Sequence, residues 1–343
     1  MDYLFFSGYS FPPDFVTIVP TKRCNFNCSR CAARSYLSQQ ENRVELSTEE
    51  FKKIFDKLAK FKPSIYFSGG EPFLRADIFE LLEYLKRKRM IVGIVSNGSL
   101  FDENAVRRLI DIRVDFFGVS LDGSQDYHDA IRGYKGSFLK IKEGIGMILD
   151  LKKKLNVKLP QVKITCIIDH ENIQEAESVL KFANELGVDQ VDFGYCMFYT
   201  GEIEKEQDEF VKARGVGGRA VIGRRISGDF NINCESWVEF FKNARKNSKI
   251  PVSVYDIGMN FADFYSFKKP ANHSKCLTPW FCAVINPDGT LEPCQNFKVG
   301  NLLKEDFFDI WNNKQMRTFR RIRKKEVFPA CFRCIEGQRI RFD

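Results

Sequence analysis

The chain has 343 residues, enough for one large domain and a smaller one, and with 44% hydrophobic residues a sizeable core is readily built. The formal net charge of +8 is spread along stretches such as residues 86–89 and 152–154, so it reads as solubilising surface before it reads as a footprint for nucleic acid. Eleven cysteines are too few for a disulfide scaffold, no apolar run reaches the roughly 18 residues of a membrane span, and the N-terminus has no basic n-region, so a reducing, cytoplasmic setting without a membrane is expected.

An extended run at residues 15–19 leads directly into Cys24-Asn25-Phe26-Asn27-Cys28-Ser29-Arg30-Cys31. Three cysteines in C-x3-C-x2-C spacing can wrap one loop around an iron–sulfur cubane, and three thiolates leave one of its irons without a protein ligand. An open position suggests chemistry, as it does in catalytic zinc sites. Zinc itself, which favours C-x2-C pairs, is the weaker reading of this loop. Next, Ser47-Thr48-Glu49-Glu50 forms a capping box, with Phe51, Ile54, Phe55 and Leu58 at helical spacing behind it. A strand at residues 64–67 runs into Ser68-Gly69-Gly70-Glu71-Pro72, where glycine permits close backbone approach to a ligand.

The alternation then repeats: helices at 77–88, 103–110, 137–153 and 173–186, strands at 91–96, 115–121, 162–168 and 190–197. Six strands alternating with helices imply a parallel sheet with right-handed crossovers, whose ligands bind at the C-terminal strand ends. Ser96-Asn97-Gly98 and Ser120-Leu121-Asp122-Gly123 lie at such ends, although Asn-Gly and Asp-Gly are also good turn formers. Arg132 offers a guanidinium fork that matches a carboxylate. Cys166, inside an apolar strand, reads as a buried small hydrophobe. Cys196, near the end of strand six, reads first as packing and second as a thiol able to give a hydrogen atom to a substrate radical. His128 and His170 follow strands without ligand spacing and read as surface or turn residues.

From 201 to 230 the pattern breaks down. Glycines 201, 215, 217, 218, 223 and 228 are interleaved with Arg214, Arg219, Arg224 and Arg225, which predicts a long loop near the barrel mouth whose arginines would suit an anionic substrate. Gly215-Val216-Gly217-Gly218 is an incomplete phosphate-loop pattern with no strand before it. Farther on, Cys276 and Cys294 bracket a predicted hairpin at 283–291 with a Pro-Asp-Gly turn, a helix is predicted around 307–314, and Cys331-x2-Cys334 follows. Four thiolates with one close pair can enclose an iron–sulfur cluster or a zinc ion.

Cys24, Cys28 and Cys31, taken with the Gly69-Gly70-Glu71-Pro72 loop at a strand end, resemble the radical S-adenosylmethionine (radical SAM) enzymes. The resemblance covers residues 10–200 and implies an α/β fold, an open, partial (β/α)6 TIM-like barrel. It implies a [4Fe–4S] cluster on the three cysteines whose open iron is chelated by the amino and carboxylate groups of SAM. One electron then cleaves SAM to methionine and a 5′-deoxyadenosyl radical, which abstracts hydrogen from a substrate. By the same resemblance Gly69, Gly70, Glu71 and Pro72 position SAM, and Ser96, Asn97, Ser120 and Arg132 belong to segments that touch its ribose and carboxylate. Arg30 departs from the family, standing where an aromatic residue usually lies beside the adenine.

The C-terminal stretch resembles the SPASM/twitch extension of these enzymes, including Val299-Gly300-Asn301-Leu302 and Asp309-Ile310-Trp311. In that comparison Cys276, Cys294, Cys331 and Cys334 ligate one auxiliary [4Fe–4S] cluster in the shorter, cysteine-rich twitch form, because only nine residues follow Cys334, and Cys282 is left over as a spare thiol. The expected organisation is a barrel at 1–200, a variable loop and helical connector at 201–265 and an auxiliary-cluster domain at 266–343. The expected activity is hydrogen abstraction from a small molecule, sugar- or nucleotide-like and anionic, with the auxiliary cluster accepting an electron or anchoring substrate. A flavodoxin- or ferredoxin-like protein would be the electron donor. Only 23 residues precede Cys24, which leaves no room for a leader-binding domain and sets a peptide- or protein-modifying maturase second. A non-catalytic iron–sulfur or zinc module contacting nucleic acid would need neither the Gly-Gly-Glu-Pro loop nor a barrel. A glycyl-radical activase would carry extra cysteines just after the first motif, where none occurs before Cys166.

Overall fold

The computed structural model describes residues 8–31, 44–169, 171–216, 223–226, 234–254, 264–265, 276–294 and 297–334. Its barrel is built from β1 (Phe15–Ile18), α1 (Thr48–Leu58), β2 (Ser64–Phe67), α2 (Ile78–Arg87), β3 (Val92–Ser96), α3 (Glu103–Asp111), β4 (Phe116–Ser120), α4 (Gln125–Arg132), α5 (Ser137–Leu155), β5 (Gln161–Ile168), α6 (Ala176–Leu186) and β6 (Gln190–Tyr195). The six strands pair parallel in sequence order, so all their C-terminal ends open on one side. This is the partial barrel the alternation predicts, with α4 added.

Local chemistry starts these elements. The capping box of α1 is complete, since the Ser47 hydroxyl accepts from the Glu50 N–H and the Glu50 carboxylate accepts from the Ser47 N–H. The helix then buries Phe51, Ile54, Phe55 and Leu58 on one face. Against such faces lie Val16, Ile18, Ile65, Phe67, Val92, Ile94, Phe117, Val119, Val162 and Ile164, all fully buried. Each such side chain contributes about 1.5–3 kcal/mol relative to exposure. Burial alternates along β1, β2 and β5, so one face of the sheet packs against the helices and the other is less covered.

After β6 come β7 (Phe198–Tyr199), α7 (Gly201–Arg214), β8 (Arg224–Arg225), α8 (Cys234–Asn247) and β9 (Val252–Val254). The long loop expected from residue 201 is therefore corrected: residues 201–214 are helix. Thr200 caps it by accepting from the Ile203 N–H, and Gly215 ends it in the left-handed conformation. Its inner face was hard to read because Gln207 is its fully buried residue, accepting a hydrogen bond from the Ala330 N–H, while Phe210 packs tilted against Phe328 with ring centroids 4.8 Å apart. Gly217, Gly218, Arg219 and Gly228 lie outside the described residues.

The C-terminal part contributes α9 (Thr278–Phe281), β10 (Cys282–Ile285), β11 (Thr290–Glu292), β12 (Gly300–Asn301), α10 (Phe307–Trp311) and α11 (Lys314–Lys325). The predicted hairpin is present, with the Asp288 carboxylate accepting from the Thr290 N–H inside its turn. It does not stand apart: β10 pairs parallel with β1, Phe15 opposite Cys282 and Ile18 opposite Ile285, while β9 pairs parallel with β6. Both edges of the six-stranded sheet are thus taken, giving one ten-stranded sheet. The single helix expected around 307–314 is two, because Asn313 caps α11 by accepting from Met316 N–H. Arg320, fully buried on α11, fastens this region: its Nε donates to Pro279 O at 2.9 Å and its Nη1 lies 2.9–3.1 Å from Trp311 O, Asn312 Oδ1 and Gly8 O. Among the described residues no helix is long and apolar enough to cross a membrane.

Candidate cofactor site at the strand ends

The chain leaves β1 straight into the cysteine loop, and the Gly-Gly-Glu-Pro loop leaving β2 pairs with it backbone to backbone. Ser68 N–H donates to Ile18 O, Gly70 N–H to Thr21 O and Glu71 N–H to Arg23 O, at 3.0, 3.2 and 2.8 Å. A Cβ on Gly70 would sit 2.0 Å from Arg23 O, so this glycine is required by the approach of the cysteine loop itself. Sequence reasoning assigned that closeness to a ligand; the neighbour is the protein's own backbone.

Glu71 does not point outward. It is fully buried, and its carboxylate accepts from Ser96 Oγ at 2.9 Å, Asn97 N at 2.8 Å and Phe73 N at 3.1 Å. Burial pushes its pKa up to about 7, against the pull of those three hydrogen bonds. Asn97 Nδ2 in turn donates to Asn25 Oδ1, and Asn25 Nδ2 to Ser99 Oγ, each at 2.8 Å. Gly70, Glu71, Ser96 and Asn97 are therefore one hydrogen-bonded unit with the cysteine loop, bracing the ends of β2 and β3 beneath it. Ser120, half-buried at the last position of β4, stands apart from this unit.

The other side of the loop rests on α4. Ser29 N–H donates to Ile131 O at 2.9 Å, and Phe26 stacks on Tyr134 at 4.8 Å. Gly133 ends α4 at φ +61°, 3.0 Å from Asn27 O when given a Cβ. Two guanidiniums bind the loop to carboxylates at strand ends. Arg132 Nε lies 2.8 Å from Asp122 Oδ2, and its Nη1 lies 3.9 Å from Cys28 Sγ. Arg30 places Nη1 3.0 Å from Asp169 and Nη2 2.6 Å from Glu171, and also donates to the Tyr127 hydroxyl. Arg224 on β8 joins the same acids, 3.2 Å from Glu171 and 3.8 Å from Asp169. These pairings were missed in the sequence, where the signal was an acid directly after β4 and after β5 together with an arginine inside the cysteine loop.

The remaining candidates separate. His128 is not a surface or turn residue: it is fully buried on α4, its Nδ1 accepts from the Asp122 N–H at 3.2 Å, and burial lowers its pKa to about 4. His170 lies outside the described residues. Cys166 is fully buried in β5. Cys196, buried just past β6, has its thiol pushed up to about 12 by burial and so keeps its hydrogen, with Sγ 3.6 Å from Met197 O. The described arginines of the 201–230 stretch face acids: Arg214 pairs with Glu326, Arg224 with Glu171, and Arg225 lies 3.7 Å from Glu204.

In the C-terminal part, Cys276 precedes α9, Cys294 follows β11, and Cys331 and Cys334 lie in the turn after α11, linked by Cys334 N–H donating to Cys331 O. Burial pushes the Cys331 thiol up to about 11; the Arg323 guanidinium opposes this and the Cys276 thiol adds to it, so two other segments act on this sulfur. Cys282 opens β10, half-buried. Every described cysteine is a free thiol. No three Cys, His, Asp or Glu side chains among the described residues are gathered as closely as one metal ion requires. A cubane spreads its thiolates over separate corner irons, and soft thiolate donors on one loop beside a guanidinium fit that group.

A profile of the Radical SAM superfamily matches residues 18–183, and one of the SPASM iron-sulfur cluster-binding domain matches residues 276–335. The Fe-coproporphyrin III synthase of Methanosarcina barkeri is 34% identical over 190 residues, which are 55% of this chain and 45% of that protein. The AdoMet-dependent heme synthase of the same organism is 28% identical over 324 residues, taking in 89% of this chain and 83% of that protein. Among solved structures, Streptococcus suis SuiB bound to S-adenosylmethionine superposes with a TM-score of 0.66 at 15% identity, over 96% of this chain and 77% of that one. That last likeness is one of fold.

Proposed function

From the premise that the chain belongs to the radical SAM superfamily and carries a SPASM iron–sulfur domain, we propose that it acts on an anionic small molecule of the iron-tetrapyrrole class. When bound, the cluster and SAM supply one-electron cleavage of SAM and a 5′-deoxyadenosyl radical that takes a hydrogen atom from the substrate. Cys24, Cys28 and Cys31 hold that cluster. The Ser68–Gly69–Gly70 backbone would hold the SAM amino group through carbonyl oxygens, since the N–H groups of Gly70 and Glu71 are already bonded to Thr21 O and Arg23 O. Ser96, Asn97 and Ser120 line the ribose side, with Glu71 and Pro72 fixing the loop. Cys276, Cys294, Cys331 and Cys334 hold an auxiliary [4Fe–4S] cluster that accepts an electron or anchors substrate, and a flavodoxin- or ferredoxin-like protein is the electron donor.

The observation that carries the substrate class is the length of the similarity to the heme synthase, which runs through barrel and SPASM region alike. Heme and Fe-coproporphyrin III both bear carboxylate side chains. Arg224, a third exposed beside the β5 end and sharing Glu171 with Arg30, is placed to exchange that partner for a substrate carboxylate. The test is 5′-deoxyadenosine formation by the anaerobically reconstituted protein with SAM and a one-electron reductant. Fe-coproporphyrin III is expected to stimulate it several-fold, and Arg224→Gln to raise the KM for the porphyrin with little change in kcat. Stimulation by a cysteine-bearing peptide and not by porphyrin would replace this reading with the peptide-modifying one.

A further inference from the structure

We infer that Arg132, oriented by Asp122, is a positioning residue that sets the reduction potential of the cluster held by the cysteine loop, acting through the sulfur of Cys28. The inference rests on the reading that Cys24, Cys28 and Cys31 hold a cluster, and it gives Arg132 a task different from the carboxylate recognition its fork suggests in isolation.

The observations are geometric. Arg132 is the last residue of α4, and the turn that follows it lies against the cysteine loop through Gly133 and the Ser29 to Ile131 hydrogen bond. Its guanidinium is mostly buried, 16% exposed, and Asp122 is 8% exposed. The Asp122 carboxylate forms an ion pair with the guanidinium, 2.8 Å from Nε, and Nη1 lies 3.9 Å from Cys28 Sγ, at the long end of hydrogen-bond range for sulfur. Asp122 is itself fixed, its N–H donating to the buried His128 and its carbonyl accepting from Asn172 Nδ2. A chain of buried contacts from β4, α4 and the β5 loop thus converges on one cysteine sulfur. The neighbouring guanidinium, Arg30, is differently occupied, with Asp169 and Glu171 as its partners.

A donor aimed at a ligand sulfur withdraws electron density from it and stabilises the more negative, reduced state of the cluster, so the potential rises. Burial strengthens the effect, because the cation acts through protein and little water. The paired Asp122 offsets part of the charge and keeps the guanidinium at a fixed angle. Without Arg132 the cluster would be harder to reduce, and the one-electron step that starts the chemistry would demand a stronger donor.

The test is a redox titration followed by electron paramagnetic resonance on the reconstituted full chain, using the reduced-cluster signal that changes when SAM is added. Absence of a SAM-responsive signal in the unsubstituted protein would sink the cluster reading itself and is seen before any variant is made. Given that signal, Arg132→Gln is expected to shift its midpoint to more negative values, and Arg132→Lys, which keeps the cation, to return most of the shift. Should the Gln variant not fold, Arg132→Met retains the buried stem and takes its place with the same expectation. A loaded, uncharged variant with an unshifted midpoint overturns the proposal. So does loss of the cluster from uncharged variants that circular dichroism shows to be folded, which would mark Arg132 as a prop for the loop only.

Discussion

The two cysteine sets of this chain are held in opposite ways. Cys24, Cys28 and Cys31 sit on one loop, and the rest of the barrel is arranged around it: β1 delivers it, the Gly70 and Glu71 backbone pairs with it, and Arg30 and Arg132 tie it to acids at the ends of β4 and β5. Cys276, Cys294, Cys331 and Cys334 come from three separate segments, which are positioned by the pairing of β10 with β1 and by Arg320, which joins α11 to the backbone at Gly8, Pro279 and Trp311. A set on one loop depends on close local contacts, whereas a set drawn from distant segments depends on a few long-range fasteners. The two should therefore fail separately and for different reasons.

The largest effect is expected from Arg320→Leu. It removes a fully buried cation and leaves several buried acceptors without donors, a loss of about 4 kcal/mol. Iron analysis should show loss of the auxiliary iron while the SAM-responsive signal persists. Gly70→Ala should do the reverse. Its Cβ would meet Arg23 O at 2.0 Å, a backbone collision worth about 2–3 kcal/mol, and the SAM-responsive signal should go while the auxiliary iron stays. If either substitution empties both sites, the separation between them is wrong.

A smaller, pH-dependent effect belongs to the first region alone. His128 has its pKa lowered to about 4 by burial, so the unfolded chain binds the proton more tightly and stability falls as pH drops from about 6.5 toward 4. Glu71, raised to about 7, works oppositely: the native state holds its proton more tightly, so its contribution falls as pH rises from about 4.5 to 7 and is constant above. The two slopes partly cancel between pH 4.5 and 6.5. Denaturant titrations of His128→Gln should expose the Glu71 slope, with stability falling as pH rises across that interval. A variant whose pH profile matches the unsubstituted chain would show that His128 is not held neutral.

Much of the barrel was legible because its signals are local. The capping box at Ser47, the apolar strands and the Pro-Asp-Gly turn each declare themselves within a few residues. The helix at 201–214 was not, because its buried face centres on Gln207, whose partner is the backbone of Ala330 far along the chain. The closure of the β1 edge by β10 was hidden for the same reason, since a four-residue strand carries no mark of the strand it will pair with. At the site, the cysteines were plain from spacing, but the inward turn of Glu71 and the commitment of Arg132 to Asp122 are tertiary facts. The same holds for His128, whose burial follows from a helix, α4, that eight mostly polar residues do not announce.

The most direct measurement is iron and labile sulfide in anaerobically reconstituted protein, comparing the native chain with a Cys24→Ala, Cys28→Ala, Cys31→Ala triple variant. Two sites built independently predict that the variant loses about four irons, ceases to form 5′-deoxyadenosine, and keeps the iron of the C-terminal set. A variant that still cleaves SAM, or one that loses all its iron and holds zinc instead, would contradict that account.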